Sequence, residues 1–258
     1  MFREEFDRQA GTAKTKIEML SKNPIGYFAL AVLAGIYIGF GVILAFTIGG
    51  LLGGAAWTKI AMGLAFGIAL SLVVIAGAEL FTGNNLVMAA GMLKKEVSIS
   101  AAVKLWAVCY LGDWLGALII SVMYHFTDLA SEPVAEFMAS SAAAKMSVSF
   151  VPLLLRAILC NILVCLAVWC AGKCRSESAK LIMIFWCLFA FITSGFEHSI
   201  ANMTLLTIGL LEPAGQAVSI GGYFYNLAVV TVGNMIGGIV FVALPYFAAS
   251  RRSGSEKR

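Results

Sequence analysis

The sequence predicts an all-α membrane protein in which six transmembrane helices form two inverted three-helix repeats, with helices 2 and 5 broken. Three observations lead there. The chain is 60% hydrophobic and only 12% charged over 258 residues, and its mean hydropathy is +0.92. That balance suits lipid rather than water as the solvent. Two apolar stretches, 58–92 and 181–211, exceed the roughly 20 residues of a straight crossing, and glycine-rich polar patches interrupt both. Motifs of the first half also return in the second at nearly constant spacing.

Residues 1–24, MFREEFDRQAGTAKTKIEMLSKNP, are charged and lack the apolar core and cleavage site of a signal peptide. Phe2, Phe6, Ile17 and Leu20 suggest an amphipathic helix at the membrane interface leading into the first span. Charge-poor stretches then mark spans at 25–48, 58–92, 99–124, 147–171, 181–211 and 223–249. Residues 25–249 therefore form one membrane domain, and 250–258 a basic tail. The stretch between spans three and four, HFTDLASEPVAEFMASSAAAKMSVSF, reads as a loop. The six cysteines (Cys109, Cys160, Cys165, Cys170, Cys174 and Cys187) contain no CxxC pair and read as small packing residues.

Orientation follows from the basic residues. Of 18 lysines and arginines, 15 fall in the N-terminal segment, around 94–104, around 173–180 and in the tail. Only Lys59, Lys145 and Arg156 lie on the other side. The asymmetry places both termini in the cytoplasm. The net charge of +4 is this topological signal and gives no support to nucleic-acid binding.

The repeat is visible in AGAELFTGNN and SGFEHSIANM. Gly77, Glu79 and Asn84 match Gly195, Glu197 and Asn202 at an offset of 118 residues. In spans three and six, Gly112-Asp113-x-x-Gly116 matches Gly233-Asn234-x-x-Gly237 at an offset of 121. An odd number of spans per half inverts the second half in the membrane. Inverted repeats with broken helices meeting near the bilayer centre build permeation sites in many transporters. Non-helical backbone at that depth is tolerated where it lines a cavity or is buried in protein. Gly77, Gly83 and Gly195 would permit the breaks.

A charge at mid-membrane costs several kcal/mol, so Glu79, Asp113, Glu197 and His198 require an explanation. The matched positions of the acids suit a scaffold role, pinning the two loops and the seam between spans three and six. His198 breaks the symmetry, because its counterpart is Leu80. A neutral imidazole at the break can donate one hydrogen bond and accept another, which suits the lining of a pore. Lys145 either draws anions to a vestibule or snorkels at the interface. Arg156 either pairs within the protein or snorkels outward.

On these residues the chain resembles the formate/nitrite transporter family of small-anion channels. The stretches AGAELFTGN (76–84), LCNILVCLAVW (159–169), SGFEHSIANM (194–203) and VTVGNMIGG (230–238) carry the resemblance, which spans nearly the whole chain. It implies an aquaporin-like fold, a homopentamer with one pore per protomer, and a small monovalent anion such as nitrite, formate or hydrosulfide, with protons, as the transported species. It maps the central histidine to His198, the loop threonine to Thr82 and the vestibule lysine to Lys145. Apolar constrictions would come from Phe66, Leu70, Leu80, Phe81, Val164 and Phe191. Asn161 and Asn234 would be pore or loop-anchoring positions, with Glu79, Glu197, Asn84 and Asn202 anchoring the loops. LFTGN contains no basic residue, and nothing in it distinguishes formate from nitrite or hydrosulfide.

Three rivals remain. A water or glycerol channel of the aquaporin class would fit the mirrored asparagines, but Asn-Pro-Ala is absent and neither loop holds a proline. A membrane enzyme using Glu197 and His198 would want HExxH or GxGD, and neither occurs. A non-conducting scaffold leaves the broken helices unexplained. No cofactor, metal or catalytic residue is expected.

Overall fold

A computed structural model describes residues 2–130 and 132–251; most of the basic tail, 252–258, lies outside the described residues. Helix α1 (Phe2–Lys22) precedes α2 (Pro24–Leu51), the first span. The second span is α3 (Thr58–Leu72), one π-helical turn (Val73–Gly77) and α4 (Phe81–Leu93). Helix α5 (Ile99–His125) completes the first half. The second half repeats the order with α6 (Glu132–Met146), α7 (Phe150–Lys173), the pair α8 (Glu177–Ser194) and α9 (Ser199–Leu211), and α10 (Ile220–Gly238). A π-helical turn (Ile239–Ala243) and α11 (Leu244–Ser250) prolong α10. Among the described residues, six stretches are long and apolar enough to cross a membrane. Both ends of the described chain lie on one face, here the terminal side; the opposite face is the loop side.

Within each half one helix pair forms the main seam, and glycine decides how closely it packs. A Cβ on Gly35 or Gly116 would strike backbone atoms of Asp113 or Val32, so α2 and α5 touch main chain to main chain. Gly233 and Gly237 bring α10 equally close to α7, against Ala157, Leu154 and Ile158. Where lipid supplies no hydrophobic drive, small residues let van der Waals contact bind helices. The two GxxxG pairs found in the sequence therefore form the two main seams.

Both overlong spans are broken, by different local means. Gly195 has a φ of +77° and closes α8 with paired bonds, Phe196 N–H to Phe191 O and Gly195 N–H to Ile192 O, both 3.0 Å. This is a Schellman motif, which favours glycine because L side chains disfavour that φ. The other break ends in the π turn, with Ala78 N–H bonded to Val73 O at 2.9 Å and Gly77 at φ +82°. Gly83, proposed above as a third hinge, is instead helical within α4, because the preceding extended residues Ala78 and Leu80 already complete the turn. The 13-residue halves α4 and α9 are buried for most of their length. Their N-termini converge, so the positive ends of both helix dipoles face the centre.

The segment expected as a loop after α5 contains helix α6. Its run EFMASSAAAKM favours helix but has no broad apolar stripe, so periodicity does not reveal it. Helix α1 also departs from expectation, since its apolar face rests on protein. Phe6 is fully buried between Trp169 and Phe247, with ring centroids at 6.4 and 5.5 Å.

Candidate functional site

The two breaks meet across a single hydrogen bond. Oγ1 of Thr82, in the first turn of α4, lies 3.0 Å from Nε2 of His198. Both side chains are buried. His198 caps α9, and its Nδ1 accepts the Ala201 N–H at 3.1 Å. That contact decides the tautomer of the neutral ring: Nδ1 carries the lone pair, so Nε2–H donates to Thr82. The threonine hydroxyl hydrogen is then free to donate elsewhere.

Aromatic rings stand beside the pair. The Phe191 ring stacks on His198 with centroids 5.9 Å apart, and Phe66 meets Phe191 edge-on at 5.6 Å. From the terminal side, a cavity of about 460 Å³ penetrates as far as Leu70, Leu80 and Gly83, and Val168 also lines it. Thr82 and His198 do not line it, so apolar side chains separate this cavity from the polar pair. Phe81 lies against Tyr110, and Val164 is buried in α7.

The acidic residues of the two breaks have mirrored surroundings. Glu197 Oε2 accepts from Lys145 Nζ and from Asn202 Nδ2, each at 2.7 Å. Glu79 Oε2 accepts from Lys16 Nζ at 2.6 Å and from Asn84 Nδ2 at 3.1 Å. The Glu197 N–H bonds to Arg156 O at 3.3 Å, and the Glu79 N–H bonds to Leu30 O at 3.2 Å. Each break is thus closed by one Lys–Glu–Asn triad. Lys145 is ion-paired, and its partner is the carboxylate beside His198.

The first turns of the half-helices are pinned in the same mirrored way. Phe81 N–H donates to Asp113 Oδ2, and Ser199 N–H donates to Asn234 Oδ1, both at 2.9 Å. Asn234 Nδ2 also holds the Ala157 and Glu197 carbonyls at 2.8 and 2.9 Å. Asn161 Nδ2 reaches the Thr82 carbonyl at 3.3 Å and that of Asn234 at 2.6 Å. Through these bonds Asn161 and Asn234 tie the main chain around both breaks together.

The sequence reading missed Lys16, Tyr27 and Asn226. Tyr27 donates to Glu79 Oε2 at 3.0 Å, and Asn226 binds both the Lys145 carbonyl and Asn202 at 2.9 Å. The repeat held the signal for Lys16. Its mirror is Lys145, at an offset of 129 rather than 118 residues, because the connections between helices differ in length.

This architecture matches known proteins along its length. The family model described as formate/nitrite transporter matches residues 3–248. The chain belongs to the formate/nitrite transporter family. It is 38% identical over 257 residues to the nitrite transporter NirC of Escherichia coli (strain K12), covering 98% of this chain and 94% of that protein. Among solved structures it resembles an FNT family ion channel at 35% identity, with a TM-score of 0.92 and coverage of 96% of this chain and 99% of the other. A pentameric formate channel with formate bound matches at 29% identity and a TM-score of 0.79, covering 88% of this chain and 98% of that chain. A family member with six apolar crossings is a multi-pass membrane protein.

Proposed function

We propose that this chain is a channel for small monovalent anions of weak acids, the class of nitrite, formate and hydrosulfide. The observation that carries the reading is the Thr82–His198 bond at 3.0 Å. It leaves one hydroxyl donor where two positive helix ends converge beside apolar walls. A bare anion entering a dry slit loses hydration at a cost of tens of kcal/mol. A donor aimed at the passage, two helix dipoles and a proton taken up by the anion each reduce that cost. The ring itself can accept a further proton only at Nδ1, the site that already receives the Ala201 N–H. The hydroxyl of Thr82 therefore meets the anion first, with His198 setting its direction.

Lys145 and Lys16 stand toward the two mouths, each paired with the acid of its break, and offer ammonium hydrogen-bond donors to an arriving anion. The lysine excess on the terminal side supports a cytoplasmic location for both termini in a prokaryotic plasma membrane. Likeness to the pentameric formate channel supports a homopentamer here as well. Cationic residues at both mouths favour an anion over the neutral solute of a water or glycerol channel, and the kinship with transporters and channels favours conduction over catalysis.

The test is flux through proteoliposomes loaded with nitrite, formate, hydrosulfide or glycerol. Fast anion flux with slow glycerol flux is expected; glycerol flux equal to that of the anions would end the proposal.

A further inference from the structure

We propose that Lys59 and Arg156 form a second anion-capture site, a cationic collar at the loop-side mouth beyond Lys145. This rests on the channel reading above and names the residues that supply its substrate from that side. Among the described residues neither cation has a carboxylate partner, and both are exposed. Lys145 differs, because Glu197 neutralises it at 2.7 Å.

Position assigns the two residues to the mouth. Lys59 stands in the first turn of α3, seven residues before Phe66 and eleven before Leu70. These spacings return a helix to nearly the same face. Lys59 therefore continues, toward the loop side, the stripe that carries Phe66 against Phe191 and Leu70 into the terminal-side cavity. Thr193 Oγ1 donates to the Lys59 carbonyl at 3.5 Å, which seats the start of α3 beside the end of α8 at the second break.

Arg156 is placed by the mirrored backbone bonds of the two breaks. Its carbonyl holds the Glu197 N–H, as the Leu30 carbonyl holds the Glu79 N–H, and Leu30 also lines the terminal-side cavity. All three basic residues of the loop side, Lys59, Lys145 and Arg156, thus stand around the loop-side end of the second break. The acids of that face, Asp128, Glu132, Glu136 and Glu212, belong to α6 or to the segments after α5 and α9. None is carried by α3 or α7.

Unpaired charges at a pore mouth raise the local concentration of counter-ions and the entry rate, with an effect that salt removes. Nitrite entry from the loop side is measured in right-side-out vesicles at sub-saturating nitrite for wild type, K59Q, R156Q, K59Q/R156Q and K59R/R156K. At about 10 mM ionic strength the double glutamine variant is expected to admit nitrite roughly three- to tenfold more slowly. The gap should shrink to less than about twofold near 0.5 M salt, with saturated flux unchanged and K59R/R156K matching wild type. An unchanged rate, or a loss independent of salt, would overturn the collar. Both side chains are exposed and the single variants are read separately, so a folding defect in one cannot hide the answer. Wild-type flux no greater than that of protein-free vesicles would instead remove the channel reading beneath it.

Discussion

Nζ of Lys16 lies 2.6 Å from Oε2 of Glu79, joining α1 to the first break across 63 residues of chain. The two side chains retain 18% and 11% of their exposure, so solvent screens the pair only in part. Removing one partner of such a pair leaves an uncompensated charge. Lys16→Met should destabilise the protein by about 3 kcal/mol, seen as a lower midpoint of thermal unfolding in detergent. Adding Glu79→Gln should recover much of the loss, since the orphaned charge goes with it. A double variant as unstable as the single would show that the pair contributes packing and little charge.

The cap on α9 and the donor to Thr82 are the same imidazole. His198→Phe removes both and should slow anion flux at least about tenfold, the equivalent of roughly 1.4 kcal/mol, and alter its pH dependence. His198→Asn can still cap a helix N-terminus but cannot reproduce the ring's reach, so it should restore stability more than flux. Thr82→Val removes the free hydroxyl and should resemble His198→Phe in flux while unfolding near the wild-type temperature. Flux and pH response unchanged in His198→Phe would separate the ring from conduction.

Sequence and structure agree most closely at the breaks. Glu79, Glu197, Asn84 and Asn202 are legible because a carboxylate inside an apolar span demands partners, and the asparagine five residues on supplies one. Helix α6 is not legible, since alanine and serine give no periodic apolar face. Gly83 misleads for a related reason. Glycine signals freedom of backbone without saying whether it is used, and here it leaves room beside Val168, 3.4 Å from where a Cβ would stand. The pairing of Lys16 is hidden because α1 and α6 sit at a different offset from the breaks they serve. The tautomer of His198 depends on a main-chain N–H, which no spacing rule reveals.

The glycines separate backbone strain from collision. Gly195 has no neighbour within 4 Å of a Cβ, so Gly195→Ala bears only the left-handed φ and should cost about 1–2 kcal/mol. Gly116→Ala drives a methyl into the Val32 carbonyl, where backbone cannot yield cheaply. It should cost about 3 kcal/mol or more and loosen the seam of α2 with α5. Thermal unfolding of both variants checks the order; equal midpoints would mean that α2 and α5 can part without penalty.

Phe6 anchors α1 over the terminal-side mouth, where Arg8, Gln9, Thr12 and Lys16 line the cavity. Replacing its ring with a methyl should cost about 3–5 kcal/mol of local packing. The remaining ties include the pairs of Lys16 with Glu79 and Lys94 with Asp7, the Phe2 ring against Tyr246 and Ala13 on Gly91, which hold α1 less firmly once the ring is gone. Phe6→Ala should therefore open the segment to trypsin at Arg8, Lys14 and Lys16 while the membrane helices stay resistant. Released, α1 no longer narrows the cavity, so anion flux from that side should rise and lose any response to acid that the docked helix imposes. Deleting residues 2–22 should give the same phenotype. An acid response identical to wild type after that deletion would mean that α1 covers the mouth without controlling it.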